Sequence, residues 1–268
     1  DDDGLYTGST YDEFLKINSL SREPKSGQSI SDYTLDLIKE FIRLKSPKFV
    51  KATYLETHKK TFKFEEKEWR GLKLFFNLGG LKSTSRGMCL NCHMPPIFTD
   101  QEFHNVGVSQ LDYDNIHGKD SFQKMKLPNL KNRGVDEYYL SHPAIDDERK
   151  VDLGMWNFYA REGKEELTTY FTRFLCPNTS CTSNEIIDFT IGRIKTPTLR
   201  NLNHSEPYFH NGKKSNLMEV LDHYQEVSQL MRAGELRNGA PQLRRLNLTL
   251  TDKKDLAAFL ETLNSDYE

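Results

Sequence analysis

The sequence feature that most constrains this chain is the pentapeptide Cys89-Leu90-Asn91-Cys92-His93. It has the C-x-x-C-H spacing of covalent c-type haem attachment. Two thiols three positions apart on a helical turn can bond the two vinyl groups of a haem, and the following histidine can ligate the iron. We therefore predict one covalent haem c, with Cys89 and Cys92 forming the thioethers and His93 as the proximal iron ligand.

Two other kinds of site share the two-cysteine spacing: a redox C-x-x-C motif and half of a zinc site. A thioredoxin-like motif follows a strand in a βαβ context, whereas a loop rich in Gly, Ser and Lys precedes Cys89. A zinc site needs a second pair of ligands, and Cys176 and Cys181 are a poor match for one. The flanking sequence therefore favours haem.

Cys176 and Cys181 enclose a short polar loop, and no histidine follows Cys181, so this pair is not a second haem site. Haem c is attached outside the cytoplasm, where disulfides persist. We predict a local disulfide between the two residues, with free thiols as the alternative. The same argument predicts a periplasmic or otherwise exported protein. The chain starts at Asp1 without Met, so either a targeting segment has been removed or the chain is part of something longer.

The composition is low in core-forming residues for a chain of 268 residues. Hydrophobic residues make up 36% of it, against about 45–50% in typical soluble domains. A haem would supply a large apolar body, and 16 Phe, 12 Tyr and 2 Trp argue against disorder. We expect no transmembrane segment, because no apolar run approaches the roughly 20 residues that span a bilayer. A net charge of −2 gives no indication of a nucleic-acid partner.

Hydrophobic periodicity predicts a mostly helical chain with long loops. We expect an irregular lead-in over residues 5–30, followed by a helix that Ser31 caps and that runs to about Lys45. Further helices are expected over 66–77 and 217–225, and a last one is expected to be capped by Thr251.

The apolar positions of these helices predict which faces are buried. Trp69 and Phe76 are core candidates in the second helix. The apolar positions that share one face are Leu35, Ile38, Phe41 and Ile42 in the first helix, and Leu256, Phe259, Leu260 and Leu263 in the last.

Several motifs follow one another in an order known from one protein family. They are Gly71–Phe75, Cys89–His93, Phe98–Asp100, Phe103–Gly107, Lys195–Asn201, Pro207–Gly212 and Asp255–Leu260. Over about residues 60–265 the chain resembles the C-terminal haem domain of the bacterial di-haem cytochrome c peroxidase and MauG family. The resemblance implies an all-α fold, with a cytochrome c-like haem domain and long loops over 61–268. Residues 1–60 would be a lead-in and a helical remnant resembling the end of the family's first haem domain.

In that family, peroxide reacts at the N-terminal haem, and the C-terminal haem passes electrons to it. This chain has one C-x-x-C-H, in the C-terminal position. The resemblance implies the electron-transfer haem of an oxidoreductase that reduces peroxide or oxidises a partner, with its catalytic residues unknown. A second haem domain or chain and a small redox protein as electron donor would be its partners. The alternatives are a single-haem electron-transfer cytochrome, a haem subunit without its own catalysis, and a fold that the haem mainly staples.

The resemblance also implies a ligand on the other side of the iron. The second axial ligand of the C-terminal haem is Met in the family's peroxidases and Tyr in MauG. The matching position here is Tyr224, so His93 and Tyr224 are the candidate iron ligands. His223, Met218 and an open position are the alternatives. MauG also carries a Trp two residues before the first haem cysteine, where this chain has Gly87.

Two further sites are carried over from the resemblance. The family binds Ca²⁺ between its domains, partly through two backbone carbonyls that map to Ser205 and Pro207. Backbone oxygens suit this hard cation, so calcium is a candidate ligand here. Arg200 is a candidate partner for a haem propionate, because a guanidinium pairs bidentately with a carboxylate. The alternative for Arg200 is a structural arginine.

Overall fold

The computed structural model describes residues 8–53, 62–78, 84–125, 127, 142–157, 169, 172–173, 176 and 181–265. The chain divides into two compact units. The first unit comprises Asp1–Glu102, Thr196–Gln225 and Arg245–Glu268, and the second comprises Phe103–Lys195 and Glu226–Arg244. Among the described residues, no helix combines the length and the apolar character needed to cross a membrane.

Helices dominate the described part of the chain, which confirms the predicted helix-rich fold. In chain order they are α1 (Thr10–Ile17), α2 (Ile30–Arg43), α3 (Glu66–Phe75), α4 (Val108–His117), α5 (Ser121–Lys124), α6 (Ser183–Thr190), α7 (Leu217–Ala233) and α8 (Leu250–Glu261). Single-turn 3₁₀ helices lie at Cys89–Asn91, Leu202–His204 and Pro241–Arg245. Four short strands form two antiparallel pairs: β1 (Val50–Thr53) with β2 (Phe62–Phe64), and β3 (Phe103–His104) with β4 (Ile194–Lys195).

The first unit is organised around the close crossing of α3 and α8. A Cβ atom at Gly71 would lie 2.0 Å from the carbonyl oxygen of Asp255 and 2.7 Å from the Cβ of Phe259. Only glycine therefore lets the two backbones approach this closely. The Arg70 guanidinium donates two hydrogen bonds, of 2.7 and 3.1 Å, to the Asp255 carboxylate beside this contact. The crossing places one buried face of each helix in a shared core.

Aromatic side chains fill much of that core. Phe14 stacks on Phe64 with ring centroids 4.1 Å apart, and Phe75 lies 5.2 Å from Phe259. The predicted core positions Trp69, Phe76, Phe259 and Leu263 are all buried, as are Leu256 and Leu260 on the predicted face of α8.

The structure differs from the predicted buried face of α2. Leu35 and Ile42 are 54% and 56% exposed, whereas Tyr33, Leu37 and Phe41 are buried. Phe41 belongs to two apolar stripes on this helix. The stripe that packs against the core is the one that also contains Tyr33 and Leu37. The Phe41 ring lies 5.9 Å from that of Trp69 in α3 and 5.0 Å from that of Phe76, just after the end of α3.

The expectation of an irregular lead-in over residues 5–30 is wrong in part, because α1 lies within it. The Ser9 side chain caps α1 by accepting a hydrogen bond of 3.2 Å from the backbone N–H of Asp12. Tyr11, Phe14 and Leu15 are buried in the first unit, and the Tyr11 N–H donates to the Thr262 carbonyl at the end of α8.

The other predicted helices are present in the structure, but they begin or end at different residues. The predicted helices at Ser31–Lys45 and 66–77 correspond to α2, which Ser29 caps, and to α3. The helix predicted over 217–225 continues to Ala233. Thr249, not Thr251, caps α8 in a capping box with Asp252.

The second unit has its own small core, made of Tyr113, Phe122, Val151, Leu153, Trp156 and Ile191. Cys176 and Cys181 form the predicted disulfide, with their Cα atoms 6.1 Å apart. The domain boundary at residue 60, and the descent of the N-terminal helix from a first haem domain, stay predictions. In the structure, α1 and α2 belong to the same unit as the C-x-x-C-H segment.

We predict that Gly71→Ala lowers the free energy of unfolding, although alanine favours a helix interior. The added methyl group must push α3 and α8 apart, and overpacking of this kind typically costs about 1–3 kcal/mol. Denaturant unfolding measures the change. Lys67→Ala, on the exposed face of the same helix, is the control and should change stability by less than about 0.5 kcal/mol. A Gly71→Ala variant as stable as the parent would contradict the close crossing.

Candidate functional site

The C-x-x-C-H segment forms one tight helical turn. Cys89–Asn91 is a 3₁₀ helix, and the N–H groups of Cys92 and His93 both donate to the Cys89 carbonyl, at 3.2 and 3.0 Å. Met88, just before the turn, has a left-handed backbone conformation with φ 57°. The turn thus presents two thiols and an imidazole within five consecutive residues, the donor set that covalent haem attachment requires.

Both thiols of the turn are unpaired and partly buried. Burial raises the pKa of each thiol to about 12. The nearby Cys92 thiol also raises the pKa of Cys89, and the Asp100 carboxylate also raises the pKa of Cys92. The Cys89 thiol donates to the Gly87 carbonyl at 3.2 Å. A redox C-x-x-C site depends instead on a lowered thiol pKa. The raised pKa values of Cys89 and Cys92 do not match that requirement.

The His93 ring is oriented by a backbone carbonyl. Its Nδ1 lies 3.0 Å from the carbonyl oxygen of Phe98. Because a carbonyl only accepts hydrogen bonds, Nδ1 carries the proton, and Nε2 is then the basic nitrogen of the ring. Metal-binding histidines almost always donate their second ring nitrogen in this way, which fixes the tautomer and the ring orientation. The donor set of the turn therefore fits a haem iron.

Three successive backbone carbonyls in the loop that orients His93 accept hydrogen bonds from side chains. The Pro96 carbonyl accepts from Arg200 Nε at 2.9 Å, the Ile97 carbonyl from Thr198 Oγ1 at 2.5 Å, and the Phe98 carbonyl from His93. Phe98 itself has φ 55°, a conformation that L-residues adopt rarely. These side-chain donors thus stabilise an unusual backbone conformation next to the candidate ligand.

Arg200 lies in the first unit, and its guanidinium pairs with Asp12. Two hydrogen bonds of 2.7 and 3.0 Å join it to the Asp12 carboxylate, and the side chains of Arg200 and Asp12 are only 6% and 2% exposed. The guanidinium also lies 5.2 Å from the Phe98 ring and 5.5 Å from the Tyr11 ring. This is the arrangement of a structural arginine, and the propionate role stays a prediction.

Tyr224 lies on α7, in the part that belongs to the first unit, and packs against the same core cluster as Cys89 and Leu90. Burial raises the pKa of Tyr224 well above its ordinary value, and the thiols of Cys92 and Cys89 contribute to the shift. The phenol is therefore within electrostatic range of both haem-attachment thiols, as a ligand candidate must be. Its role on the iron stays a prediction.

The alternatives to Tyr224 occupy different surroundings. His223 is buried, and its ring packs on Phe209 with centroids 4.7 Å apart. Met218 is partly buried and lies six residues earlier on the same helix.

The candidate calcium positions lie on the surface. Ser205 and Pro207 are exposed and follow the 3₁₀ helix Leu202–His204. Between them, the Glu206 carboxylate accepts a hydrogen bond of 3.1 Å from the Tyr208 hydroxyl. The calcium site stays a prediction.

Sequence reasoning missed Asp12, which lies in the supposed lead-in. A local signal was present: Ser9 and Asp12 have the spacing of a helix cap, and Tyr11, Phe14 and Leu15 follow helical periodicity. Its pairing with Arg200 has no such signal, because the two residues are 188 positions apart.

Several known proteins are similar to parts of the chain. No family model matches the chain. The chain is 25% identical over 195 residues to cytochrome-c peroxidase IdrP1 of Denitromonas iodatirespirans, a match that covers 73% of the chain and 39% of that protein. Against IdrP1 of Pseudomonas sp. (strain SCT) it is 24% identical over 202 residues, with the same coverage. It is 37% identical over 73 residues to the methylamine utilization protein MauG of Methylorubrum extorquens, covering 27% of the chain and 19% of MauG.

The chain is similar to curated cytochrome-c peroxidases and to MauG. It spans about two-fifths of the length of the curated peroxidases IdrP1 that it matches. A solved structure of a MauG-like protein associated with microbial copper homeostasis aligns with a TM-score of 0.39 at 21% identity, over 75% of this chain and 48% of that one.

In this chain, Gly87 has no room for a side chain. A Cβ atom there would lie 2.3 Å from the Leu74 carbonyl oxygen and 3.5 Å from the Cys89 sulfur. The backbone at this position is therefore packed directly against the end of α3. A tryptophan, the residue that MauG has at the matching position, would require this segment to move away from α3.

We predict that replacing Cys89 and Cys92 with Ala abolishes covalent haem, since no thioether can then form. Haem staining of a denaturing gel measures the attachment. The matched control is Cys176→Ala with Cys181→Ala, which removes the disulfide of the second unit and should leave the stain unchanged. Haem that still migrates with the Cys89 and Cys92 variant would contradict the attachment site.

We predict that Tyr224→Phe changes the ferric absorption spectrum and raises the reduction potential, because an anionic oxygen ligand stabilises the ferric state. Spectroscopy and potentiometry of the haem-loaded protein provide the test. Tyr208→Phe is the control, since the Tyr208 hydroxyl bonds to the Leu202 carbonyl and Glu206. A Tyr224→Phe spectrum identical to that of the parent would exclude Tyr224 as a ligand.

Proposed function

We propose that this chain carries the electron-transfer haem c of a peroxidase-type oxidoreductase. The observation that carries the proposal is the hydrogen bond from His93 Nδ1 to the Phe98 carbonyl, next to two cysteines of the same turn that form no disulfide. This combination fits a haem-binding turn, in which a second ring nitrogen of the ligating histidine donates to a carbonyl. The relatives named cytochrome-c peroxidase and MauG support the same class of chemistry.

Each residue of the site has a defined task in this proposal. Cys89 and Cys92 hold the haem covalently, and His93 presents Nε2 to the iron with its ring fixed through Nδ1. When bound, a haem c supplies a one-electron redox centre. Tyr224 is proposed as the second residue that would ligate the iron, and it packs against the same apolar core cluster as Cys89.

The proposed partners follow from the same reading. A second haem domain or chain would be where peroxide is reduced or a partner is oxidised, and a small redox protein would supply electrons. A Ca²⁺ ion bound through the carbonyls of Ser205 and Pro207 is part of the proposal, as is a periplasmic or otherwise exported location, because haem c is attached there.

A single-haem electron-transfer cytochrome is the second candidate function. One observation favours it: the sequence contains a single C-x-x-C-H. In that case the residues of the site would have the same tasks, and the protein would carry electrons without reducing peroxide.

The two functions differ in haem count and in their reaction with peroxide. We predict that the native particle contains a second haem and that hydrogen peroxide rapidly reoxidises it after reduction. Intact mass, haem stoichiometry and stopped-flow absorbance measure these properties. A single six-coordinate haem that peroxide leaves reduced would overturn the peroxidase proposal in favour of the cytochrome.

A further inference from the structure

The loop that follows the C-x-x-C-H turn is hydrogen-bonded to a segment of the first unit that lies about a hundred residues later in the sequence. Thr198 and Arg200 donate to the carbonyls of Ile97 and Pro96, and Thr99 Oγ1 donates to the Thr196 carbonyl at 2.8 Å. The segments 96–99 and 196–200 thus interlock through side-chain hydrogen bonds. These bonds lie on both sides of the Phe98 carbonyl that bonds to His93.

Arg200 connects that contact to α1. Its Nε donates a hydrogen bond to the Pro96 carbonyl, and its guanidinium lies over the Phe98 ring. Its two terminal nitrogens donate hydrogen bonds to the Asp12 carboxylate. The first terminal nitrogen also donates to the Ser9 hydroxyl at 3.1 Å. A planar guanidinium with this many partners has a single allowed orientation.

Asp12 is held as firmly as Arg200. It lies in the first turn of α1, where it accepts a hydrogen bond from the Ser9 hydroxyl. Both side chains of the pair are almost fully buried, so each depends on the other for compensation of its charge. A buried pair of this kind is weak evidence for stability, but it can define one orientation of the groups around it.

We propose that Asp12 and Arg200 are a positioning pair for the haem ligand, fixing the Pro96–Phe98 loop so that the Phe98 carbonyl holds His93 Nδ1. The inference rests on His93 being the iron ligand of the proposed function. It extends the site to α1, a helix that carries no haem-binding motif. The pair acts through the loop, so Asp12 and Arg200 touch neither the iron nor the substrate in this role.

The pairing has a consequence for the electronic character of the ligand. A strong hydrogen bond from Nδ1 raises the basicity of a metal-bound histidine. Loosening the loop weakens this bond, so the ferric state loses stabilisation and the reduction potential rises. The propionate role predicted for Arg200 leads to a different pattern, because there Asp12 has no part and its replacement leaves the ligand unaffected.

The test uses the haem-loaded protein and the variants Asp12→Asn, Arg200→Lys and Thr198→Val. Thr198→Val removes the bond to the Ile97 carbonyl without changing any charge, which separates loop position from local electrostatics. We expect all three variants to retain covalent haem, to shift the ferric electron paramagnetic resonance g values and to raise the reduction potential, with the smallest shift in Thr198→Val. The double variant Asp12→Asn with Arg200→Lys should shift less than the sum of its parts.

Asp255→Asn is the matched control, since it breaks a bidentate Arg–Asp pair elsewhere in the same unit. It should lower the melting temperature and leave the g values and the potential unchanged. Haem-loaded variants of the positioning pair that behave in the same way as this control would overturn the proposal.

Folding failure does not remove the test. If the charged variants yield no folded protein, Thr198→Val decides alone, and parent-like g values and potential in that variant overturn the positioning role. A parent protein without covalent haem would overturn both this role and the proposed function. A parent that binds haem but transfers no electrons would overturn the function only, because the g values still report on His93.

Discussion

The hydrogen bond between His93 Nδ1 and the Phe98 carbonyl is the interaction on which the site depends. It joins the end of the C-x-x-C-H turn to a loop whose preceding two carbonyls are also bonded to side chains. Without it the imidazole could adopt either tautomer and several orientations. With it, one nitrogen is bonded to the backbone and the other carries the free lone pair that a metal ligand needs. The first unit can be understood as a frame that holds this carbonyl in place.

That frame is built more from aromatic than from aliphatic side chains. The low hydrophobic content of 36% suggested that a haem fills part of the core. The structure adds a second reason, because the rings of Tyr11, Phe75, Phe98 and Phe259 pack edge to face or tilted against one another, and Phe14 stacks on Phe64. Each aromatic side chain buries roughly 150–250 Å². A small number of large residues therefore does the packing that many aliphatic residues do in other domains.

Local patterns predicted the parts of the structure that local interactions determine. The faces of α3 and α8 followed from helical periodicity, and the disulfide followed from the spacing of Cys176 and Cys181. The predicted buried face of α2 was right at Ile38 and Phe41 and wrong at Leu35 and Ile42. Two apolar stripes compete on that helix, and tertiary contacts with Trp69 and Phe76 decide between them.

Prediction of the candidate site from the sequence was limited in the same way. The turn at Cys89–His93 is visible in the sequence because its residues are consecutive. The partners that hold it are not, since Arg200 lies about a hundred residues from the loop and Asp12 nearly two hundred from Arg200. Long-range pairing of this kind has no local signature.

The central claim is that His93 ligates a haem iron through Nε2 while Nδ1 donates to the Phe98 carbonyl. Proton NMR of the ferric, haem-loaded chain tests it most directly. The account predicts hyperfine-shifted ring protons for His93, including a slowly exchanging Nδ1 proton. Ordinary diamagnetic shifts for the His93 ring would contradict the account.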